Sequence, residues 1–278
     1  MPNLIPRAEF LLQSLFAQQK SCPHCHSKDI YVVTRKYPTV SVKKCRQCLL
    51  CFTSPIYKSW FSKNFYESFY SGEGLTTQMP TAKELAHLRE TNFLGTDKDF
   101  NWLLPRIASV AGANGRRLLD IGCSWGYFLF QAKKYGFDGI GIEIDPKRGA
   151  FGREHLGVAI VQSFDELLEA KFDIAFSCHA FEHFTSLSSV IDKIRDRLVP
   201  GGHLFIIVPI FDWDRFGKKN LHHIGAVHPL GFSLEFFKRN LPRYGFSIRY
   251  FFSRAIDFPD QPSDTSAEDG LMVWAVRD

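Results

Sequence analysis

The stretch LLDIGCSWGYFLFQAKKYGFDGIGIEIDP, Leu118 to Pro146, decides the fold of this 278-residue chain. LLDI predicts a strand, GCSWG a glycine turn, YFLFQAKKYG a helix, and GIGIEI a second strand that ends on acidic residues. Strand, glycine turn, helix and strand follow one another in this order in nucleotide-handling βαβ units. The sequence therefore predicts a cofactor site at the turn that begins with Gly122.

The same alternation continues toward the end of the chain. Strands AIVQ, FDIAFSC and HLFIIVP alternate with helices PKRGAFGREHL and SLSSVIDKIRDRL, and apolar strands interleaved with helices favour a parallel sheet covered on both faces. After the helix SLEFFKRNLPRYG, only a polar loop separates SIRYFFSRAI from LMVWAVRD, so these two strands should pair antiparallel. We therefore predict an α/β fold: a doubly wound, mostly parallel seven-stranded sheet that ends in an antiparallel hairpin.

Two CxxC knuckles lie ahead of this domain. Cys22 and Cys25 form the first, Cys45 and Cys48 the second, and nineteen residues separate them, a spacing typical of a small zinc ribbon. The β-branched segment between the knuckles predicts a hairpin. Four thiolates fill a tetrahedral site, so the Zn²⁺ would be structural. Reduced cysteines without metal are the alternative, and Cys51, His24 and His26 lie near enough to be rival ligands.

These patterns divide the chain into three predicted parts. Residues 1–56 form an N-terminal segment with the zinc ribbon, 57–110 an aromatic and helical bridge, and 111–278 the main domain, with an insertion at about 211–244. The aromatic residues of the bridge indicate packing, because each ring buries ~150–250 Å². The functional alternative is a lid over the ligand, to which Tyr66 and Tyr70 would contribute hydroxyls.

Charge and hydropathy narrow the classes of function. The net charge of +5 is spread along the chain, so it permits an anionic substrate without indicating nucleic acid. The N-terminus lacks the pattern of a signal peptide, and LFIIVPI, among the longest apolar runs, is far shorter than the ~20 residues that span a bilayer. We therefore expect a cytoplasmic protein without a membrane partner.

The opening stretch also restricts the cofactor. Glu143 ends the second strand, twenty-one residues after Gly122, where a carboxylate can accept both ribose hydroxyls. The turn lacks the G-x-G-x-x-G spacing that brings a helix against a pyrophosphate, which argues against NAD. Asp120 places a second carboxylate beside the turn, and this suits a cationic group better than a phosphate.

Five segments in the right order resemble class I S-adenosylmethionine-dependent methyltransferases. LLDIGCSWGYFL is similar to their first motif, with Ser124 where the family often has glycine, and GIEIDP is similar to their acidic loop. FDIAFSCHAFEHF, RLVPGGHLFIIVP and the terminal hairpin resemble the later motifs. CRQCLLCFTSP followed by FYESFY resembles bacterial members with an N-terminal zinc ribbon, so the likeness extends from about Cys22 onward.

The resemblance implies roles for residues along the predicted cofactor site. The amino acid part of the cofactor would be surrounded by Asp120, Gly122, Cys123, Ser124 and Gly126. The ribose would be bound by Glu143, and the adenine would be bordered by Ile144, Ser163 and Phe164. The methionine side, near the sulfonium, would be lined by Cys178 and His179.

Methyl transfer often needs a base that takes the proton of the acceptor hydroxyl, and histidine suits that task near neutral pH. Glu182 and His183 follow the fourth strand of the domain, so we predict His183 as the base, with Glu182 supporting it or binding the acceptor. A structural capping or core pair is the alternative.

The insertion after the fifth strand is where the resembled family builds its acceptor pocket. It contains His222, His223 and His228, of which His223 is a second candidate base, and Lys218 and Lys219 could meet an anionic acceptor. The three histidines could instead bind a metal, or belong to an ordinary polar loop.

We therefore predict a methyltransferase that acts on a small molecule, on an oxygen of a saccharide or other secondary metabolite. C-methylation of a nucleotide sugar is the next alternative. The alternative from another class is an RNA-modifying or RNA-binding protein that uses the ribbon. The sequence has no NPPY-like motif and no basic stripe with stacking aromatics, which weighs against RNA.

Overall fold

The computed structural model describes residues 18–56, 78–112, 115–225, 227–252 and 270–278. Tyr66 and Tyr70, the residues of the predicted lid, lie outside the described residues. Among the residues described, no helix has the length and apolar character needed to cross a bilayer.

The main sheet has the predicted architecture. Its strands are β4 (Arg117–Ile121), β5 (Asp138–Ile142), β6 (Ala159–Val161), β7 (Phe172–Cys178), β8 (Leu198–Val208), β10 (Phe246–Phe252) and β11 (Leu271–Arg277), in the order β10-β11-β8-β7-β4-β5-β6. The strands from β4 to β8 pair in parallel, whereas β11 is antiparallel to both β8 and β10. The predicted seven-stranded, mostly parallel sheet with a terminal antiparallel hairpin is confirmed.

The helices are α1 (Ala82–Glu90), α2 (Leu104–Ala111), α3 (Tyr127–Lys133), α4 (Pro146–Phe151), α5 (Leu187–Arg197), α6 (Trp213–Phe216) and α7 (Leu234–Asn240). Apolar side chains of α1, α2 and α3 share one buried cluster with one face of the sheet, and those of α5 and α7 share another with the opposite face. Both faces are therefore covered, as parallel strands require.

Several elements differ in extent from the sequence prediction, among them helix α4 and strand β8. The helix predicted over 146–156 is α-helical only through Phe151 and ends in a π-helical turn, Gly152–Leu156. Gly152 packs closely there, since a Cβ on it would lie 2.7 Å from the carbonyl oxygen of Trp125. Strand β8 begins at Leu198, before the predicted start, because Leu198 already pairs with Phe172.

The N-terminal sheet is built from two parts of the chain. The predicted hairpin is present as β1 (Ile30–Tyr37) and β2 (Val40–Cys45), and β3 (Cys51–Ser54) follows it. The fourth strand, β9 (Leu230–Gly231), comes from the insertion of the main domain and pairs with β3. The N-terminal sheet and the insertion therefore share backbone hydrogen bonds.

Side chains also tie these two regions together. The Nζ atom of Lys36 in β1 donates to the carbonyl oxygens of Leu221 and Ile224, at 3.0 and 2.6 Å. Lys44 in β2 forms an ion pair with Asp214 of the insertion. The insertion is thus held between the N-terminal sheet and the edge of the main sheet where β8 ends.

Candidate active site and cysteine cluster

The turn between β4 and α3 is a left-handed loop at the carboxyl edge of the sheet. Gly122 and Gly126 have φ values of 77° and 80°, which glycine adopts at little cost. Gly122 also fits tightly, since a Cβ there would lie 2.5 Å from the Cβ of Ala180. The two glycines of the first motif are therefore required by the backbone and by its closeness to the segment after β7.

Ser124, the departure from the family pattern, is also left-handed, with a φ of 52°. Such a φ is costly for a residue with a Cβ, which explains why glycine is common at this position. The side chain is buried, and its Oγ has no hydrogen-bond partner among the residues that the structure describes. The turn thus presents an unsatisfied hydroxyl, as expected where a polar ligand binds.

Asp120 and Glu143 form a buried acidic pair beside this turn. Their residues are 3% and 7% exposed. Burial raises the pKa of Asp120 well above its usual range, and the charge of Glu143 raises it further. Burial also raises the pKa of Glu143, although the backbone N–H of Asp145, which donates to its carboxylate, and the charge of Arg148 oppose the shift. The Asp145 N–H lies 2.8 Å from Oε1, so Glu143 has a fixed orientation.

The other predicted cofactor residues lie along the same edge. Ile144 follows Glu143 and is 83% exposed, a position from which an apolar side chain can cover a flat ring. Ser163 and Phe164 follow the end of β6. Cys178 ends β7 and His179 comes next, with a φ of 51°. Because β4, β5, β6 and β7 are parallel, the structure brings the whole predicted set to one edge.

Glu182 lies in the short 3₁₀ turn after β7 and is 1% exposed. Neither carboxylate oxygen has a hydrogen-bond partner among the described residues, and Nδ1 of His179 is 3.5 Å from Oε1, which is long for a hydrogen bond. Burial raises the pKa of Glu182, but the nearby His179, His183 and His228 outweigh it, and the net pKa is lowered.

Two of these histidines are fixed by backbone carbonyls. Nδ1 of His183 donates to Val227 at 2.7 Å, and Nδ1 of His228 donates to His223 at 3.2 Å. A carbonyl oxygen only accepts, so the lone pair of each neutral ring is on Nε2. Burial lowers the pKa of both residues, which favours the neutral rings. Their ring centroids are 4.7 Å apart.

The insertion histidine that joins Glu182 and His183 is thus His228. His223, the second candidate base, donates from Nδ1 to the carbonyl of Ile210 at 2.7 Å and belongs to the 3₁₀ turn Gly217–His223. Lys218 and Lys219, on the same turn, are exposed. No spacing rule pairs His228 with residues more than forty positions earlier, so the sequence alone could not single it out.

The four cysteines of the two knuckles converge at the base of the N-terminal sheet. Sγ of Cys22 lies 3.4 Å from that of Cys48, Sγ of Cys25 lies 3.5 Å from that of Cys45, and all four lie within 4.8 Å of one another. Four sulfurs at this separation suit tetrahedral Zn²⁺. Cys51 belongs to β3 instead, and the His24 ring packs against Phe236 and Tyr244.

Residues 82–250, more than half of the chain, match the sequence profile of a methyltransferase domain family. The protein belongs to this family, and its resemblance to class I S-adenosylmethionine-dependent methyltransferases is confirmed. The fold is shared with a TehB-like S-adenosylmethionine-dependent methyltransferase of Corynebacterium glutamicum (TM-score 0.50, 16% identity, 70% of this chain and 97% of that one). It is also shared with magnesium protoporphyrin IX methyltransferase of Synechocystis PCC 6803 (TM-score 0.50, 14% identity, 80% and 100%).

Curated relatives match a shorter region. A ubiquinone biosynthesis O-methyltransferase of Acinetobacter baumannii is 27% identical over 115 residues, 38% of this chain and 47% of that protein. A tRNA U34 carboxymethyltransferase of Azotobacter vinelandii is 31% identical over 127 residues, 41% of this chain and 39% of that protein. The chain thus spans less than half the length of these relatives.

Proposed function

We propose that the protein transfers the methyl group of S-adenosylmethionine to an oxygen atom of a small molecule, a saccharide or another hydroxylated metabolite. The observation that carries this proposal is the buried pair Asp120 and Glu143 beside the left-handed turn, because it offers two carboxylates and no phosphate-binding glycine pattern. Similarity to a ubiquinone biosynthesis O-methyltransferase supports an oxygen acceptor.

The residues at the edge fit the chemical groups of this cofactor. Glu143 would accept from the ribose hydroxyls, and Asp120 would face the ammonium group of the amino acid part. The unsatisfied Oγ of Ser124 marks a place for a polar ligand atom. The bound cofactor would supply a methyl group whose bond to the sulfonium sulfur breaks, the electron pair staying on sulfur, as the acceptor oxygen bonds to the carbon.

The remaining proposed cofactor residues surround these groups. They are Gly122, Cys123 and Gly126 in the turn, Ile144, Ser163 and Phe164 on the adenine side, and Cys178 and His179 on the methionine side. Structural Zn²⁺ would be held by Cys22, Cys25, Cys45 and Cys48.

Affinity for S-adenosylhomocysteine should fall as the pH falls. Burial and Glu143 raise the pKa of Asp120 in the free protein, whereas the ammonium group of the ligand's amino acid part favours the ionised form. Below the raised pKa, Asp120 must therefore lose a proton on binding, which weakens affinity by up to about tenfold per pH unit. Calorimetry between about pH 5 and pH 8 measures this trend, and Asp120→Asn should flatten it. The same affinity across this range in the unmodified protein would contradict the assignment.

The Glu182–His183 turn is the proposed place of proton removal. With no metal ion bound at His183, its Nε2 would take the proton of the acceptor hydroxyl, because Nδ1 is already a donor to Val227. Glu182 would stabilise the resulting imidazolium. His223, which is fixed to Ile210, stays the second candidate for this role.

The His183→Ala variant is expected to lose at least about tenfold in turnover, because general bases typically contribute 10²–10⁴-fold. Binding of S-adenosylhomocysteine should persist. Transfer of a radiolabelled methyl group to a panel of hydroxylated small molecules measures turnover, and His222→Ala is the control, since His222 is an exposed histidine of the insertion. Unchanged turnover in His183→Ala would exclude this residue as the base.

An RNA acceptor is the second candidate, favoured by the similarity to a tRNA carboxymethyltransferase. Several cations of the N-terminal sheet are, however, engaged within the chain. Lys36 and Lys44 contact the insertion, and Arg46 forms a 3.4 Å ion pair with Asp29. RNA binding that weakens steeply with salt would favour this candidate over a small molecule.

A further inference from the structure

A second group of potential metal ligands lies apart from the cysteines, at the carboxyl edge of the main sheet. One ligand atom from each of Glu182, His183 and His228 lies within 4.8 Å of the other two. Metal–ligand bonds of about 2.0–2.2 Å place two ligands of one ion roughly 3–4 Å apart. A side-chain adjustment of about an ångström would therefore bring the three atoms around a common ion.

The carboxylate of Glu182 indicates that a cation binds among these three side chains. It is 1% exposed, and neither oxygen has a hydrogen-bond partner among the described residues. A buried charge without close partners is strongly destabilising. Nδ1 of His179, a basic atom outside the group, lies 3.5 Å from Oε1, which is long for a hydrogen bond. A cation among the three side chains would supply a close partner for the carboxylate.

The histidines have the orientation that metal sites use. A metal-binding histidine typically donates its other ring N–H to a carbonyl or carboxylate, which fixes the ring and leaves the opposite nitrogen to the metal. Nδ1 of His183 donates to Val227 and Nδ1 of His228 to His223. Both carbonyls belong to the insertion, which therefore holds the two rings in this orientation.

We propose that Glu182, His183 and His228 bind a divalent first-row transition-metal ion. Two imidazole nitrogens and one carboxylate oxygen suit such an ion and leave coordination positions open. An oxygen atom of the acceptor could occupy one of them, since the insertion that carries His228 is the proposed acceptor region. The site is chemically distinct from the four-thiolate cluster.

The catalytic use of this metal site rests on the proposed function. The metal site also changes the role of His183 from a base to a ligand. With a cation bound, His183 is a ligand and cannot take a proton. A hydroxyl bound to the cation has a lowered pKa, so its O–H bond breaks, the proton passes to water, and the electron pair stays on oxygen.

Titration of Co²⁺ into the untagged full-length protein, loaded with Zn²⁺ at the cysteines, tests the proposal. We expect about one further equivalent of Co²⁺ per chain, with visible d–d absorption and without the thiolate charge-transfer bands that a cysteine site would show. Glu182→Gln and His228→Ala should each weaken this binding by tenfold or more, as loss of even an outer-shell partner typically costs 10–100-fold. His222→Ala, which changes an exposed histidine of the same insertion, should bind as the unmodified protein does.

Binding of S-adenosylhomocysteine and methyl transfer, measured on the same preparations, separate the two proposals. Absence of a second equivalent, a spectrum with thiolate bands only, or unchanged Co²⁺ affinity in both ligand variants would overturn the metal site, even if transfer persists. Co²⁺ binding that depends on Glu182 and His228 in a protein that binds no S-adenosylhomocysteine would support the metal site and overturn the proposed function. Circular dichroism verifies that Glu182→Gln and His228→Ala are folded.

Discussion

Replacing Ser124 with tryptophan should abolish binding of S-adenosylhomocysteine, whereas Ser124→Gly should preserve it. Ser124 is 4% exposed, and the buried carboxylate of Glu143, whose residue is 7% exposed, lies beside the same turn. An indole has no room at this position, so it would occupy the cofactor space or displace the turn, and either change disturbs the residue proposed to bind the ribose.

The glycine variant isolates the effect of side-chain size. The left-handed φ of 52° at Ser124 is one that glycine adopts without the cost of a Cβ, which is about 1 kcal/mol. Ser124→Gly should therefore keep its affinity and gain up to roughly this much stability. Equilibrium dialysis with radiolabelled cofactor measures binding, and thermal unfolding checks the fold. A folded Ser124→Trp protein with unchanged affinity would show that the cofactor does not bind at this turn.

Loss of the cysteine metal is expected to destabilise the N-terminal sheet and the insertion together. The Cys45→Ser variant should lose the ribbon Zn²⁺, because Cys45 is one of the four converging cysteines. Structural zinc contributes ~10–16 kcal/mol in zinc-finger peptides, so a loss of several kcal/mol in the free energy of unfolding is expected. The effect should extend beyond the ribbon because β3 pairs with β9.

Loss of the zinc should affect cofactor binding and turnover differently. Asp120 lies in β4 and Glu143 directly follows β5, so neither belongs to the N-terminal sheet, and binding of S-adenosylhomocysteine should persist in folded Cys45→Ser protein. Turnover should fall, since the insertion carries Val227 and His228, which contact His183. Metal analysis, thermal unfolding and calorimetry provide the measurements.

Cys51→Ser is the matched control for this experiment. Cys51 is a buried thiol of β3 that does not belong to the cysteine cluster, so this variant should keep its Zn²⁺. Equal zinc content in Cys45→Ser and Cys51→Ser would contradict the four-cysteine site. Loss of zinc without any change in stability would contradict its structural role.

Much of this architecture follows from local patterns in the sequence. The apolar strands, the helices between them and the turn at Gly122 recur over short distances, and hydrophobic periodicity reports such features well. The cysteine cluster was also predictable from the two CxxC knuckles, because a hairpin between them brings the thiols together. The terminal hairpin was predictable because the sequence between its two strands is a polar loop without a helical pattern.

Contacts between distant segments were not predictable from these patterns. Strand β9 is only two residues long and joins a sheet formed nearly two hundred positions earlier, so it has no strand signature of its own. The approach of His228 to Glu182 depends on how the insertion folds back over the end of β7. The left-handed backbone of Ser124 is set by the turn, whose neighbours Gly122 and Gly126 are also left-handed.

The most direct test of the central claim is calorimetric titration of the full-length protein with S-adenosylhomocysteine and, separately, with NAD⁺. The buried carboxylates Asp120 and Glu143 and the absence of a phosphate-binding glycine pattern predict one molecule of S-adenosylhomocysteine per chain and no binding of NAD⁺. Glu143→Ala should weaken the binding of S-adenosylhomocysteine by roughly tenfold or more, because hydrogen bonds to a charged group contribute about 1.5–3 kcal/mol each. Binding of NAD⁺ in place of S-adenosylhomocysteine, or of neither, would contradict the account.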